Sequence, residues 1–202
     1  MDLLDSEKLK SFREKYFDHA KKHFLFENVL KTNGNIVFGK GSDNPRIVFI
    51  GEAPGKDENR IGIPFVGRSG KLLDNWIEFL GLNKKDFCVI NVVPIIPLSK
   101  EGVIRPPNDE EINYFLPFTE KYLELLDPEV VVLLGRSAAS IFDKTLRVGE
   151  TKNVGKYNLF FIYHPSYYLR NGGKGFELVL EKLKNFLESN KKNNKQFKLN
   201  DF

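Results

Sequence analysis

Short, unbroken apolar runs alternate with longer amphipathic stretches along most of the chain. Arg46-Ile47-Val48-Phe49-Ile50-Gly51 is such a run, ending in glycine, as expected of a strand buried on both faces. Phe87 to Val93, Val130 to Gly135 and Asn158 to Tyr163 repeat the pattern. The other segments have helical spacing. Leu3, Leu4, Leu9, Phe12, Tyr16, Phe17 and Phe24, set among charges, predict one long amphipathic helix over residues 3–30. Leu72, Leu73, Trp76 and Leu80 predict a helix from Ser69 to Leu80, with Ser69 as its N-cap. Asn108 or Asp109 caps a helix reaching to about Leu126, interrupted or kinked at Pro117. Ser137 to Phe142 reads as a short helix and Phe176 to Leu187 as the last one. This alternation predicts an α/β fold: a three-layer α/β/α sandwich around a central, mostly parallel four-stranded sheet.

The chain has 202 residues, which suits one domain, expected over residues 1–188 with an N-terminal helical segment at 1–31. Cys88 is the single cysteine, so an internal disulfide, a four-cysteine zinc site and a four-thiolate cluster are all excluded. Inside an apolar run it reads as a small buried hydrophobe. His19 and His23 stand four apart on the first helix, but no third ligand is near, so they read as solvated or partly buried histidines and no metal is expected. The net charge of +4 permits a nucleic-acid partner without demanding one. No stretch approaches the roughly 18–20 apolar residues of a membrane span. Met1 to Asp5 lacks the basic and apolar regions of a signal peptide, so a cytoplasmic protein, expected as a monomer, is the default.

In a parallel sheet of this kind, ligands sit beyond the carboxyl ends of the strands. Three of the predicted strands end in polar or turn-forming residues: Gly51-Glu52, Asn91 and His164. Order and spacing alone therefore bring these residues to one rim.

Gly51-Glu52-Ala53-Pro54-Gly55, followed by Glu58, Gly62, Pro64-Phe65-Val66-Gly67, Ser69-Gly70 and Leu72-Leu73, closely resembles the first motif of family 4 uracil-DNA glycosylases. Asn91 matches the asparagine with which that family reads uracil. His164-Pro165-Ser166-Tyr167-Tyr168-Leu169-Arg170 resembles its second active-site motif. The resemblance runs from about Thr32 to the final helix. It implies an enzyme that flips uracil out of DNA and hydrolyses its glycosidic bond, with uracil-containing DNA as partner.

Under that resemblance each residue type has a chemical reason. The departing uracil carries developing negative charge, and His164 would donate a hydrogen bond to it, with backbone N–H groups of Glu52 and Ala53 as further donors. Phe65 offers a flat face for a flipped base. Asn91 carries a donor and an acceptor on one amide, which match O4 and N3–H of uracil and mismatch cytosine. Glu58 is a candidate either for the wall that excludes the thymine methyl or for positioning the attacking water. Tyr167, Tyr168 and Leu169 fall where the family inserts a wedge into DNA. Ser69, Ser166 and Arg170 suit phosphate contacts. No lysine occupies a recognisable nucleophile position, so no lyase activity is expected. Two alternatives stay open: a glycosylase for another damaged or modified base, and a non-catalytic nucleic-acid-binding module.

The chain departs from the family in one respect. Most members place four cysteines around an iron–sulfur cluster, and here the corresponding segments have none, so no cofactor is expected. Phe24, Phe26, Ile95 and Ile96 are expected to fill that place with apolar packing. Glu101 to Pro107 also departs from the family's Asn-Arg-x-Pro pattern. From Ser189 the chain is polar and lysine-rich, and residues 189–202 are expected to form a flexible tail. Gln196, Leu199 and Phe202 are spaced as in the peptide by which repair proteins dock on a sliding clamp, which makes a clamp a candidate partner.

Overall fold

The computed structural model describes residues 6–199, with side chains described through Asn190. Leu3, Leu4 and Phe202 lie outside the described residues, as do the side chains of Gln196 and Leu199. In chain order the elements are α1 (Glu7–Ala20), α2 (Phe26–Thr32), β1 (Gly39–Gly41), β2 (Ile47–Gly51), α3 (Lys56–Ile61), α4 (Arg68–Phe79) and β3 (Phe87–Asn91). Then follow α5 (Asp109–Leu126), β4 (Val130–Leu134), α6 (Arg136–Ser140), β5 (Thr151–Val154), β6 (Tyr157–Ile162), α7 (Pro165–Arg170) and α8 (Glu177–Leu199).

The sheet order is β1-β3-β2-β4-β6-β5. The four expected strands form its parallel centre, β3-β2-β4-β6. The sheet is wider than the four strands expected, because an antiparallel strand closes each edge. Neither edge has an apolar pattern to announce it. β1 is Gly-Lys-Gly, and β5 is exposed along most of its length. A two-residue turn at Gly155, whose φ is 57°, returns β5 into β6.

Alternate residues of each central strand face opposite helical layers. Val48, Ile50, Cys88, Ile90, Val131, Leu133, Leu159 and Phe161 pack against α1, α2, α5 and α6. Ile47, Phe49, Val89, Val130, Val132, Leu134, Phe160 and Ile162 pack against α4, α7 and α8. Both faces are thus covered, which is why these strands read as unbroken apolar runs. Cys88 is fully buried in the first layer, where burial pushes its thiol pKa up. No helix among the described residues is long and apolar enough to cross a membrane.

Several element boundaries differ from the sequence expectation. The first helix is two: α1 ends near Ala20, and the chain bends before α2 begins at Phe26. His23 is buried at that bend, where its Nδ1 accepts from the Leu25 N–H at 3.3 Å. Helix α4 begins one residue before Ser69, with Gly67 as N-cap and no side-chain cap bond. Helix α5 continues through Pro117, whose exposed side leaves the unpaired Asn113 carbonyl on the solvent face. Its own start is the reciprocal pair expected of Asn108: the Asn108 Oδ1 accepts from the Glu111 N–H at 2.8 Å, and Glu111 accepts from the Asn108 N–H at 2.9 Å. Helix α8, read as ending at Leu187, runs to Leu199, for neither glycine nor proline interrupts that stretch.

The place expected to hold Phe24, Phe26, Ile95 and Ile96 is filled differently. Ile95 and Ile96 are buried and Phe26 is half-buried, but Phe24 is 53% exposed. Nearby, His19 stacks on Tyr114 with ring centroids 4.2 Å apart, and His23 packs tilted against the same ring at 4.4 Å. One cysteine, buried in β3, cannot supply a cluster's thiolates, so the family's iron–sulfur group does not fit this chain.

Candidate active site

The carboxyl ends of β2, β3 and β6 open into one cavity of about 590 Å³. Glu52, Ala53, Glu58, Phe65, Asn91 and His164 all line it, with Ser69, Ser166 and Arg170 at its edge. Three strands that are far apart in sequence thus deliver their terminal residues to one place, as the strand order requires.

The floor is set by close approach. Asn91, 5% exposed, ends β3 beside Gly51, which ends β2. A Cβ on Gly51 would stand 2.5 Å from the Phe65 ring and 2.6 Å from the Asn91 Oδ1. Glycine is therefore required for ring and amide to share the floor. The Asn91 Oδ1 is buried and has no hydrogen-bond partner. A buried acceptor left unpaired is costly, and a donor group on a ligand would offset that cost.

Phe65 is buried with its ring 5.4 Å from the His164 ring. Its φ is 52°, a left-handed conformation that few non-glycine residues adopt. Three contacts hold it there. Lys40, buried on edge strand β1, donates from Nζ to the Phe65 carbonyl at 2.8 Å. The Glu58 carboxylate accepts from the N–H groups of Val66 at 2.9 Å, Gly67 at 2.7 Å and Gly55 at 3.1 Å. Helix α4 presses on the Phe65 backbone at Gly70, where a Cβ would meet the Phe65 carbonyl oxygen at 2.1 Å. Burial lowers the Lys40 ammonium pKa from its ordinary value, and Asp74 at 3.7 Å opposes that shift. Glu58 is thus occupied in tying together the loop that carries Phe65. Sequence reasoning missed Lys40, because a lysine between two glycines carries no signal of burial.

His164 is the N-cap of α7. Its Nδ1 accepts from the Ser166 N–H at 3.2 Å and lies 2.8 Å from the Ser166 Oγ. Arg170 Nη1 donates to that Oγ at 3.2 Å, which turns the hydroxyl proton toward the ring. With Nδ1 accepting, the neutral ring carries its proton on Nε2. Burial, and secondarily the Arg170 charge, bring the imidazole pKa down from 6.5 to about 4. The ring is therefore a neutral hydrogen-bond donor at pH 7. On the opposite side the Glu52 carboxylate accepts from the Ser137 Oγ at 2.6 Å, a partner in α6 that the sequence did not single out.

The residues after His164 divide. Tyr168, expected at the DNA, is buried: it packs edge-on to Trp76 at 5.6 Å and to Phe176 at 5.7 Å. The turn of α7 carries it inward, because the pattern Tyr167-Tyr168-Leu169 is helical here and only part of it can face out. Tyr167 is 41% exposed at the cavity mouth, and half-buried Leu169 lines an adjoining groove with Ser69, Ser166 and Arg170.

A family model described as the uracil DNA glycosylase superfamily matches residues 38–191, which hold every cavity residue named above. The chain belongs to that superfamily. It is 34% identical to a type-4 uracil-DNA glycosylase of Thermotoga maritima, over 76% of this chain and 84% of the relative. A protein of the same description from Archaeoglobus fulgidus is 37% identical over 67% of this chain and 73% of its own length. A third, from Saccharolobus solfataricus, is 33% identical over 70% of each. Superfamily membership thus joins a cavity built at the strand ends to relatives whose names carry a base-removing activity.

Two outcomes are expected from this geometry. Gly70→Ala should destabilise the fold by about 1–3 kcal/mol through overpacking, although the same change in an open helix stabilises by about 1 kcal/mol. Urea denaturation distinguishes the two signs. The His164 ring should titrate near pH 4 by NMR. Its unfolded state takes a proton that the folded state refuses, so stability should fall as pH drops from 6.5 toward 4. That component should be absent in His164→Gln when the two proteins are compared across the window.

Proposed function

We propose that this protein removes uracil from DNA by hydrolysing its N-glycosidic bond, and that it does so by flipping the base into the cavity between Phe65, Asn91 and His164. The observation that carries the reading is the unpartnered Asn91 Oδ1, buried in the same cavity as a neutral, Nε2-protonated His164. Uracil presents N3–H, a donor that fills this acceptor, and O4, an acceptor for the Asn91 NH₂. Cytosine presents the reverse pattern and leaves both sides unpaired, a mismatch that such sites discriminate by about 10⁴-fold or more.

Catalysis then rests on the leaving group. The bond between C1′ and N1 breaks, and its electron pair stays with uracil, delocalised toward O2. The His164 Nε2–H donates to that oxygen. A neutral imidazole is suited to this task, since it stabilises the anion without needing a proton from solvent. One such preorganised donor is worth about 3–4 kcal/mol in the transition state. In this reading backbone N–H groups of Glu52 and Ala53, two residues that line the cavity, are further donors. Water adds to the cationic sugar carbon and loses a proton to solvent, leaving an abasic site. Glu58 and Lys40 act as positioning residues that hold Phe65 against the base. Ser69, Ser166 and Arg170 face the phosphates, with Leu169 beside them. The enzyme so read is monofunctional, acts as a monomer in the cytoplasm, and docks through Gln196, Leu199 and Phe202 on a sliding clamp.

Oligonucleotides with uracil opposite guanine, uracil opposite adenine, single-stranded uracil, thymine opposite guanine and hypoxanthine decide the base range, with abasic sites revealed by alkali. Cleavage of the three uracil substrates and not of the others is expected; action on hypoxanthine alone would replace uracil by another base. His164→Ala should lower kcat by about 10²–10³-fold, and Asn91→Ala should depress it strongly as well. Lys40→Met should cost about tenfold or more in kcat/KM, the worth of one charge-assisted hydrogen bond. Removal of the last seven residues should abolish clamp binding in a pull-down while leaving cleavage of a short oligonucleotide intact; retained clamp binding would exclude the tail as the docking segment.

A further inference from the structure

The loop between β3 and α5 forms a small hairpin at the mouth of the cavity. Leu98 and Ile104 bridge antiparallel, and the Ser99 N–H donates to the Val103 carbonyl at 2.8 Å. The Ser99 Oγ accepts from the N–H groups of Glu101 and Val103, each at 3.3 Å, and Gly102 turns the tip with φ 76°. The hairpin is fixed to the body at its base. The Arg105 N–H donates to the Pro97 carbonyl at 3.1 Å. The Arg105 guanidinium forks onto the fully buried Glu111 carboxylate at 2.5 and 2.8 Å. Such bidentate pairing fixes direction as well as distance.

What this scaffold displays is apolar. Val103 is 63% exposed and Ile104 39% exposed, and Ile104 also lines the cavity that holds His164 and Asn91. Across the mouth, of the three residues expected at the wedge, Tyr168 is buried and unable to reach a base stack, Leu169 is half-buried and Tyr167 is 41% exposed. A rigid tip that spends two exposed apolar side chains beside a polar catalytic cavity needs an occupant. The position of Ile104 names it. Any DNA strand that places a flipped nucleotide in the cavity must carry its neighbouring nucleotides over the cavity's rim, and Ile104 is part of that rim.

We propose that the hairpin from Leu98 to Ile104 is a DNA-probing wedge, in which Val103 and Ile104 press into the duplex beside the flipped uracil and fill the space it leaves. This rests on the uracil reading above. Apolar wedges offset the few kcal/mol of unstacking that extrusion costs, and a wedge held rigid loses little entropy on insertion. The benefit arises only where a stack must be broken. It is largest for uracil paired with adenine, smaller for a mispaired uracil and smallest in a single strand.

The test is the Val103→Ser/Ile104→Ser double variant of the full chain, in two assays. The first compares kcat/KM on uracil opposite adenine with that on single-stranded uracil. The ratio of duplex to single-strand turnover should fall about tenfold, equivalent to about 1.4 kcal/mol of lost unstacking support, and less for uracil opposite guanine. The second assay needs no catalysis: a duplex with an abasic site carries 2-aminopurine as the neighbouring base, and its fluorescence reports unstacking on binding. Wild-type protein should raise the signal and the double variant should not, while Ile104→Leu retains it. An unchanged turnover ratio, or equal fluorescence with both proteins, overturns the wedge. Wild-type protein that unstacks the reporter yet releases no uracil refutes the uracil reading and leaves the wedge standing.

Discussion

The geometry of the cavity depends on one backbone conformation, the left-handed Phe65. A phenylalanine with φ of 52° is strained, and strain of this kind costs about 1–3 kcal/mol and persists only when its surroundings over-determine it. Here they do so from three directions. Lys40 draws the Phe65 carbonyl toward the sheet edge, Glu58 gathers the next two N–H groups, and Gly70 lets α4 close over the backbone. Gly51 completes the set from beneath the ring. The result is an aromatic face whose place is decided before any ligand arrives. The conformational cost of positioning it is met in folding, so binding need not supply it.

The same economy governs the electrostatics. A charged imidazole would attract an anionic leaving group more strongly, but burial beside Arg170 makes that charge expensive and brings the His164 pKa to about 4. Arg170 has a second effect, through Ser166, because it orients the hydroxyl that faces Nδ1. One cation thus disfavours the charged ring and selects the tautomer that points a proton into the cavity. Glu58, expected either as the wall against a thymine methyl or as the group that positions water, is meanwhile engaged by three backbone N–H groups. That carboxylate is thus committed to holding the loop that carries Phe65.

Much of this was legible in the sequence, for a simple reason. The central strands are buried on both faces, so their apolar runs stand out, and the polar residues that end them mark the rim. Glu52, Asn91 and His164 were found that way. What escaped was decided by neighbours distant in sequence. Lys40 looks like a surface lysine and is buried only because β1 pairs with β3 and faces α4. Tyr168 stands in a motif that suggested DNA contact, and the helical turn of α7 takes it into the core beside Trp76. Strand β5 has no apolar side to show, since it borrows its place from β6. Ser69 has the chemistry of an N-cap, but Gly67 occupies that position because Glu58 already holds its N–H.

The missing cluster follows the same logic. Beside α2, which overlaps the segment where the family carries two of its cysteines, His19 stacks on Tyr114, His23 packs tilted against it and the Tyr114 hydroxyl donates to the His19 carbonyl at 3.1 Å. Aromatic stacking fills volume but does not by itself fix a loop. The directional tie is supplied one step away, where Arg105 forks onto Glu111, and Glu111 also caps the first turn of α5. A carboxylate with no exposure is tolerable only when its oxygens are matched in this way, since an unpaired buried charge is strongly destabilising. Because Arg105 is also the base of the hairpin at the cavity mouth, the repacked periphery and the site rim share one anchor. Loss of the cluster is thereby compatible with an intact cavity: what must stay fixed is the α5 start, and an ion pair with its carboxylate buried holds it.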